Sequence, residues 1–335
     1  MTAMTRFLLA TCLAVPAAFA TAQTPSRSIE SLDPAFAKLI APDAKIEVLA
    51  GGFKWSEGPA WDKSQKAILF TDIPNNRVMA WSETGGLKEF IKPSGFTGPA
   101  KFDGREPGAN GLAFDAKGVL TLCQHGDRCI AKWVDGKFQK IATKHDGKRF
   151  NSPNDLVYHP NGDLYFTDPP YGLPKGMADE GKEILYQGVY RLKPDGTVTL
   201  LTKEMSRPNG IGLSPDAKTL YVANSDNEKA PIWKAFPVKA DGTLGEGKLF
   251  ADSMESVKKK WPGSPDGLKV DAAGNVWATG PGGVWVFDPT GKALGLIKTG
   301  VPTANCGFGD DGTTLYITAN TELLRVKVKV KGLGF

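Results

Sequence analysis

Apolar residues recur along this chain in short alternating runs, grouped in fours, and each group opens on the same phrase. The first group is Glu57-Gly58-Pro59-Ala60-Trp61-Asp62, a turn at 63–66, and further runs at 67–71, 77–81 and 87–91. Period-two alternation over a few residues, punctuated by Gly, Asp and Asn, predicts strands; the short turns predict that consecutive strands pair antiparallel. Five more phrases restart the order: Asn110-Gly111-Leu112, Asn154-Asp155-Leu156, Asn209-Gly210-Ile211, Asp266-Gly267-Leu268 and Asn305-Cys306-Gly307. Behind Asn154 the predicted strands are 156–158, 164–167, 188–192 and 198–201; behind Asn209 they are 211–213, 219–223, 232–238 and 247–251.

The starts lie 53, 44, 55, 57 and 39 residues apart. Repeats of about 40–50 residues, each a four-stranded meander, predict an all-β fold, here a six-bladed β-propeller of four-stranded antiparallel blades. The last copy supplies only three strands, near 307–309, 314–318 and 323–330, so the orphan strand 46–49 is predicted to join it and close the ring. Closure leaves no bare sheet edge at the seam. The expected organisation is a signal peptide at 1–22, a lead-in at 23–44 with one helical turn near 34–40, and a single propeller at 45–335.

In a meander all the short turns fall on one face of the disc. The other face receives the long connections, such as 94–110, 143–154, 168–187 and 253–266, together with the six starting residues. Connections of this kind carry function. Because the first strand of a blade lies nearest the axis, Glu57, Asn110, Asn154, Asn209, Asp266 and Asn305 are predicted to converge on the central channel. All six bear side-chain oxygens and none is His or Cys, which suits a hard cation such as Ca2+ better than Zn2+. Asn and Asp also suit a strand entered from a tight turn. A plain turn would repeat one residue type, however, whereas two of the six copies change to the carboxylates Glu57 and Asp266.

Composition adds bounds. With 335 residues and 41% of them apolar, the chain can bury a sizeable core. Residues 1–22 join Arg6 to an apolar run that ends in the small Ala20 and Ala22, the layout of a secretory signal cut after Ala22 or, second, Ala20. The run is too short to span a bilayer comfortably. An exported protein, periplasmic or secreted, without membrane insertion after signal removal is expected. Without residues 1–22 the chain keeps 40 basic and 36 acidic residues, a net charge of +4. The basic residues are scattered apart from Lys258-Lys259-Lys260, so nucleic-acid binding has little support. Cys123 and Cys129 flank a five-residue loop that would set them opposite one another at a hairpin end. They are either a disulfide, which the compartment allows, or two reduced, packed thiols. Cys306 reads as a small buried apolar residue.

The phrases Ser56-Glu57-Gly58-Pro59, Ser152-Pro153-Asn154-Asp155, Arg207-Pro208-Asn209-Gly210 and Ser264-Pro265-Asp266-Gly267 resemble the metal-site segments of the SMP-30/gluconolactonase/LRE family, six-bladed calcium-dependent lactonases. The similarity runs from about Val48 to the C-terminus. It implies metal ligands at Glu57, Asn209 and Asp266, with Asn154 at the metal or substrate edge. Asn110 and Asn305 fall outside the family's usual ligands and stay channel-lining residues. It further implies hydrolysis of a sugar lactone such as glucono-1,5-lactone to its aldonic acid. Ca2+ leads as the ion, with Mg2+, Mn2+ and Zn2+ as alternatives. Asp266 is the implied base, and a cation-activated water acting with less help is the variant.

Four residues on the long connections are candidate substrate contacts: His125 to bind or shuttle a proton, Tyr171 to stack on a sugar ring, and Arg149 and Arg207 to hold a carboxylate or lactone oxygen. Each has a plainer role as a surface histidine, a packed aromatic or a structural ion pair. Asp127 and Arg128 are read as pairing with each other, and His145 and His159 as structural. Nothing resembles a serine nucleophile elbow or a phosphate loop. Two other functions stay open: a phosphotriesterase or broad ester hydrolase on the same metal site, and a non-catalytic propeller that binds peptide or glycan.

Overall fold

The computed structural model describes residues 26–335; the predicted signal peptide lies outside the described residues. Six antiparallel meanders form the blades of a propeller. Blade 1 comprises Ser56–Asp62, Ala67–Asp72, Arg77–Ser82 and Gly86–Ile91, and blade 2 Ala109–Phe114, Leu120–Gln124, Cys129–Val134 and Lys137–Ala142. Blade 3 comprises Leu156–Tyr158, Leu164–Asp168, Gly188–Leu192 and Val198–Thr202, and blade 4 Pro208–Leu213, Thr219–Asp226, Ala230–Pro237 and Lys248–Asp252. Leu268–Val270, Val276–Gly280, Gly283–Phe287 and Ala293–Lys298 make blade 5. Blade 6 joins Asn305–Gly309, Thr314–Ala319 and Glu322–Lys327 to Glu47–Gly51, which pairs antiparallel with Glu322–Lys327. The ring therefore closes with the N-terminal strand, as the strand count predicts.

Alternation along each strand sends apolar side chains into the walls between blades. Leu69, Val78 and Ile91 of blade 1 pack on Leu112, Leu120 and Leu122 of blade 2, and Tyr165 and Val189 of blade 3 on Ile211, Val222 and Phe236 of blade 4. Each such fully buried aliphatic or Phe side chain contributes about 1.5–3 kcal/mol. The stability of the ring thus sits in its interblade seams, and the axis is left for polar groups.

Ordered structure begins earlier than the sequence pattern predicts. Ser28–Ser31 adds a fifth strand to blade 5, pairing antiparallel with Ala293–Lys298. Behind it Asp33 caps a 3-10 helix, Pro34–Lys38, by accepting the Ala35 N–H at 2.8 Å. Phe36, Leu39 and Ile40 then enter the core shared by blades 5 and 6. The predicted lead-in is therefore part of the propeller. Ser28-Ile29-Glu30-Ser31 has no run of alternation long enough to read as a strand; the free outer edge of blade 5 makes it one.

The disulfide alternative is corrected. Cys123, Cys129 and Cys306 are free and buried. The hairpin register pairs Cys123 with Ile130 and Gln124 with Cys129, so the two thiols differ by one position and face opposite sides of the sheet. Cys129 instead donates to Gln124 Oε1 at 3.2 Å.

The recurring phrase has a structural explanation at the mouth. The innermost strands slip register around Glu57-Gly58, Asn110-Gly111 and Asn209-Gly210, and bulges of this kind re-aim side chains. Neighbouring strands approach closely there. A Cβ on Gly210 would stand 2.1 Å from the Asp266 carbonyl oxygen, and Gly111 N–H donates to the Asn154 carbonyl at 2.7 Å. The Thr-Asp that ends the second strands of blades 1 and 3 does two jobs. Thr71 and Thr167 donate to the carbonyls of Asn110 and Asn209 in the next blade, at 3.2 and 2.7 Å. Asp168 accepts the N–H groups of Asn151 and Ser152, both at 2.8 Å, and so fixes the segment entering Asn154. Asp72 does the same for Lys54 ahead of Glu57 at 3.0 Å.

Candidate active site

The ring of contacts brings Glu57, Asn110, Asn154, Asn209, Asp266 and Asn305 to the mouth of the channel. Glu57, Asn110, Asn154, Asn209 and Asn305 are buried, while Asp266 opens partly to the mouth with its Oδ1 enclosed. Glu57 accepts the Gly58 N–H at 2.6 Å. Burial pushes its carboxyl up to about 7, and the negative charge of Asp155 adds to the push. Burial also drives Asp266 well above the ordinary carboxylate range, with Glu57, Asp155 and Glu106 reinforcing the shift and Asn209 opposing it. Carboxylates that share a poorly hydrated pocket cannot all ionise without a compensating positive charge.

Three side-chain oxygens at the mouth, Asn110 Oδ1, Asn154 Oδ1 and Asp266 Oδ1, are buried without a hydrogen-bond partner among the described residues. A buried acceptor left unpaired costs about 1–3 kcal/mol. Oxygen donors of this kind, beside two carboxylates and with no thiolate or imidazole, fit a hard divalent cation. Among the described residues no three His, Cys, Asp or Glu side chains group closely enough to hold a metal by themselves. Any donor set here would have to include amides, and Asn110 Oδ1 and Asn154 Oδ1 are amide oxygens left unpartnered among the described residues. Asn305 is committed elsewhere: its Oδ1 accepts the Cys306 N–H at 2.9 Å and its Nδ2 donates to Asp155 Oδ2 at 3.3 Å. Its role is channel-lining.

The substrate candidates separate. Tyr171 places its hydroxyl in a buried position with no hydrogen-bond partner; burial first, and then the Asp266 charge, raise its pKa. Arg207 is half-buried beside it, and its backbone N–H is tied to Asn224 Oδ1 at 2.7 Å. Its guanidinium makes no ion pair among the described residues, so the plainer role of a structural ion pair does not apply to it. His125 is fully buried beneath the 170s loop, where a Cβ on Gly172 would lie 2.4 Å from its own Cβ. His125 Nδ1 lies 3.1 Å from Glu106 Oε2, out of line for a hydrogen bond.

Arg149 is not brought to this group: it is exposed on a small hairpin, Lys144–His145 against Lys148–Arg149, with its N–H on Glu183 at 2.7 Å. The expected Asp127–Arg128 pair is also corrected. Arg128 Nε donates to the Phe150 carbonyl at 2.7 Å, while Asp127 lies 3.0 Å from the Lys140 ammonium. A positive φ of 58° at Arg128 turns the two side chains apart. His145 packs edge-on against Tyr190, and His159 accepts the Asn161 N–H.

Three residues of the mouth escaped the sequence pattern. Asp155 is buried directly behind Asn154, in the column where four other copies carry Gly; that departure was a signal in plain view. Lys269 and Glu106 carried none, because one looks like an ordinary strand residue and the other lies in an aperiodic connection. A groove of 280 Å³ lined by Asp62, Phe90, Phe114 and Trp133 lies between blades 1 and 2 and shares no residue with the mouth.

A propeller whose axial mouth is ringed by Asn, Glu and Asp defines a class, and comparison with known proteins places the chain within it. Residues 55–321 match the model of the SMP-30/Gluconolactonase/LRE-like region, and the chain belongs to that family. It is 39% identical over 312 residues to the gluconolactonase of Zymomonas mobilis, covering 91% of this chain and 87% of that one. It is 27% identical over 268 residues to a pentonolactonase of Haloferax volcanii, covering 78% and 80%. A solved gluconolactonase structure from Xanthomonas campestris superimposes with a TM-score of 0.78 at 31% identity, over 93% of this chain and 99% of that one.

Proposed function

We propose that the protein opens a sugar lactone of the gluconolactone kind to its aldonic acid, at a divalent-cation site formed by Glu57, Asn154, Asn209 and Asp266, with Ca2+ the favoured ion. Family membership and the lactonase relatives make it a hydrolase of cyclic esters. The observation that carries the cation site is the set of unpartnered buried oxygens, Asn154 Oδ1 and Asp266 Oδ1, beside the buried carboxylate of Glu57.

When bound, the ion supplies a positive charge that polarises the lactone carbonyl and favours the oxyanion. The chain's own groups do the rest. Asp266, ionised once the ion's charge offsets its burial, accepts a proton from water as the water oxygen bonds to the carbonyl carbon. The ring C–O bond then breaks, the proton passes to the ring oxygen, and the open hydroxy acid leaves. The Tyr171 hydroxyl and the Arg207 guanidinium, both without hydrogen-bond partners among the described residues, orient the sugar's oxygens. Residues 1–22 support action outside the cytoplasm, in the periplasm or medium.

Parallel assays on glucono-1,5-lactone and a phosphotriester, with and without chelator, test this reading. Chelator-sensitive lactone hydrolysis well above phosphotriester hydrolysis is expected. Faster phosphotriester turnover, or lactone turnover indifferent to chelator, refutes it.

A further inference from the structure

We propose that Asp155 and Lys269 form an internal ion pair beneath the cation seat that sets the charge of the mouth to −2, so that the site is matched to a divalent ion. This rests on the cation site proposed above and goes beyond it: it names the two residues that decide which ionic charge the site prefers. Neither is one of the four proposed donors.

Asp155 stands where other copies carry Gly58, Gly111, Gly210 and Gly267, positions at which a Cβ would meet the next blade at 1.9–2.7 Å. It is 1% exposed. Oδ1 accepts the Leu156 N–H at 2.8 Å, and Oδ2 accepts Asn305 Nδ2 at 3.3 Å from across the channel. A Cβ on Gly111 would come within 2.8 Å of Oδ1, so the carboxylate fills the axis against blade 2 as well. Such a group is fixed in place; it cannot swing out to solvent.

Lys269 answers it from blade 5. Its ammonium is 4.0 Å from Asp155 Oδ2, donates to the Leu268 carbonyl at 3.0 Å, and reaches Asn305 Oδ1 at 3.4 Å. Burial raises the carboxyls of both Glu57 and Asp155, and the Lys269 charge opposes that rise in each. Glu57, Asp155 and Asp266 carry three negative charges when ionised and Lys269 returns one, while Glu106 and Arg207, which both act on Tyr171, add one charge of each sign and leave the balance at −2. Without Lys269 the balance is −3 and suits a trivalent ion. Without the Asp155 charge it is −1.

Coulomb attraction scales with the ion's charge, and at the effective dielectric of a buried site one unit charge within about 10 Å changes affinity by at least about tenfold. The test is isothermal titration of the metal-free full chain with Ca2+ alone and with Tb3+ alone, with folding checked by circular dichroism. Lys269→Met should bind Ca2+ at least about tenfold more tightly, with a larger gain for Tb3+; Lys269→Arg should match wild type. Asp155→Asn should weaken both ions, Tb3+ more than Ca2+. Equal changes for the two ions, or no gain in a folded Lys269→Met, overturns the proposal. If Lys269→Met fails to fold, the Tb3+-to-Ca2+ ratio in Asp155→Asn decides alone. A wild-type chain that binds neither ion would instead overturn the cation site itself.

Discussion

Gly210→Ala should damage the site through backbone geometry alone. A Cβ at this position lies 2.1 Å from the Asp266 carbonyl oxygen and 2.7 Å from Gly267 Cα. Ordinary contact begins at 3.4 Å, so the innermost strands of blades 4 and 5 must separate by about 1.3 Å. That gap opens between Asn209 and Asp266, two of the proposed cation donors. Overpacking of one methyl costs about 1–3 kcal/mol of stability. A displacement near 1 Å at the reacting groups costs about 100-fold in rate. Thermal unfolding and kcat/KM on glucono-1,5-lactone measure the two effects. Gly118→Ala is the control: its φ is 76° with nothing within 4 Å of the new Cβ, so it should cost about 1–2 kcal/mol and leave kcat/KM unchanged. A Gly210→Ala variant with wild-type kcat/KM and melting temperature would refute the close-approach account of the repeated glycine.

Two further predictions follow from the mouth. Glu57 is raised from 4.5 to about 7, so between those values the native metal-free chain binds more protons than the unfolded one and loses stability as pH rises. Added Ca2+ relieves ionised carboxylates, so the rise in melting temperature it causes should be larger at pH 8 than at pH 5; an equal or reversed difference counts against the site. Tyr171→Phe removes a buried hydroxyl with no partner, so stability should hold or rise while KM for the lactone increases by about two- to tenfold. An unchanged KM would remove Tyr171 from the substrate contacts.

Period-two alternation made the blades legible because each strand buries one face in a seam, and Leu156–Tyr158 and Gly188–Leu192 fall where the pattern puts them. The mouth was legible for a different reason: six copies of one phrase expose the positions where Asn becomes Glu57 or Asp266. What stayed hidden depends on contacts that no local pattern encodes. Ser28–Ser31 becomes a strand through the edge it meets, and Cys123 and Cys129 part through a one-residue register. His125 is buried by a loop some 45 residues further on, at Gly172. Asp155 was visible as an acid in a glycine column, but its meaning needed Lys269 and Asn305 around it.

The central claim is that Glu57 and Asp266 hold a divalent cation on which lactone hydrolysis depends. Calcium titration and lactone turnover of Glu57→Gln, measured on the same folded preparation, test it most directly. The account predicts that affinity and turnover fall together, each by at least about tenfold for one lost unit charge at the ion. Full lactone turnover by Glu57→Gln in excess chelator would contradict it.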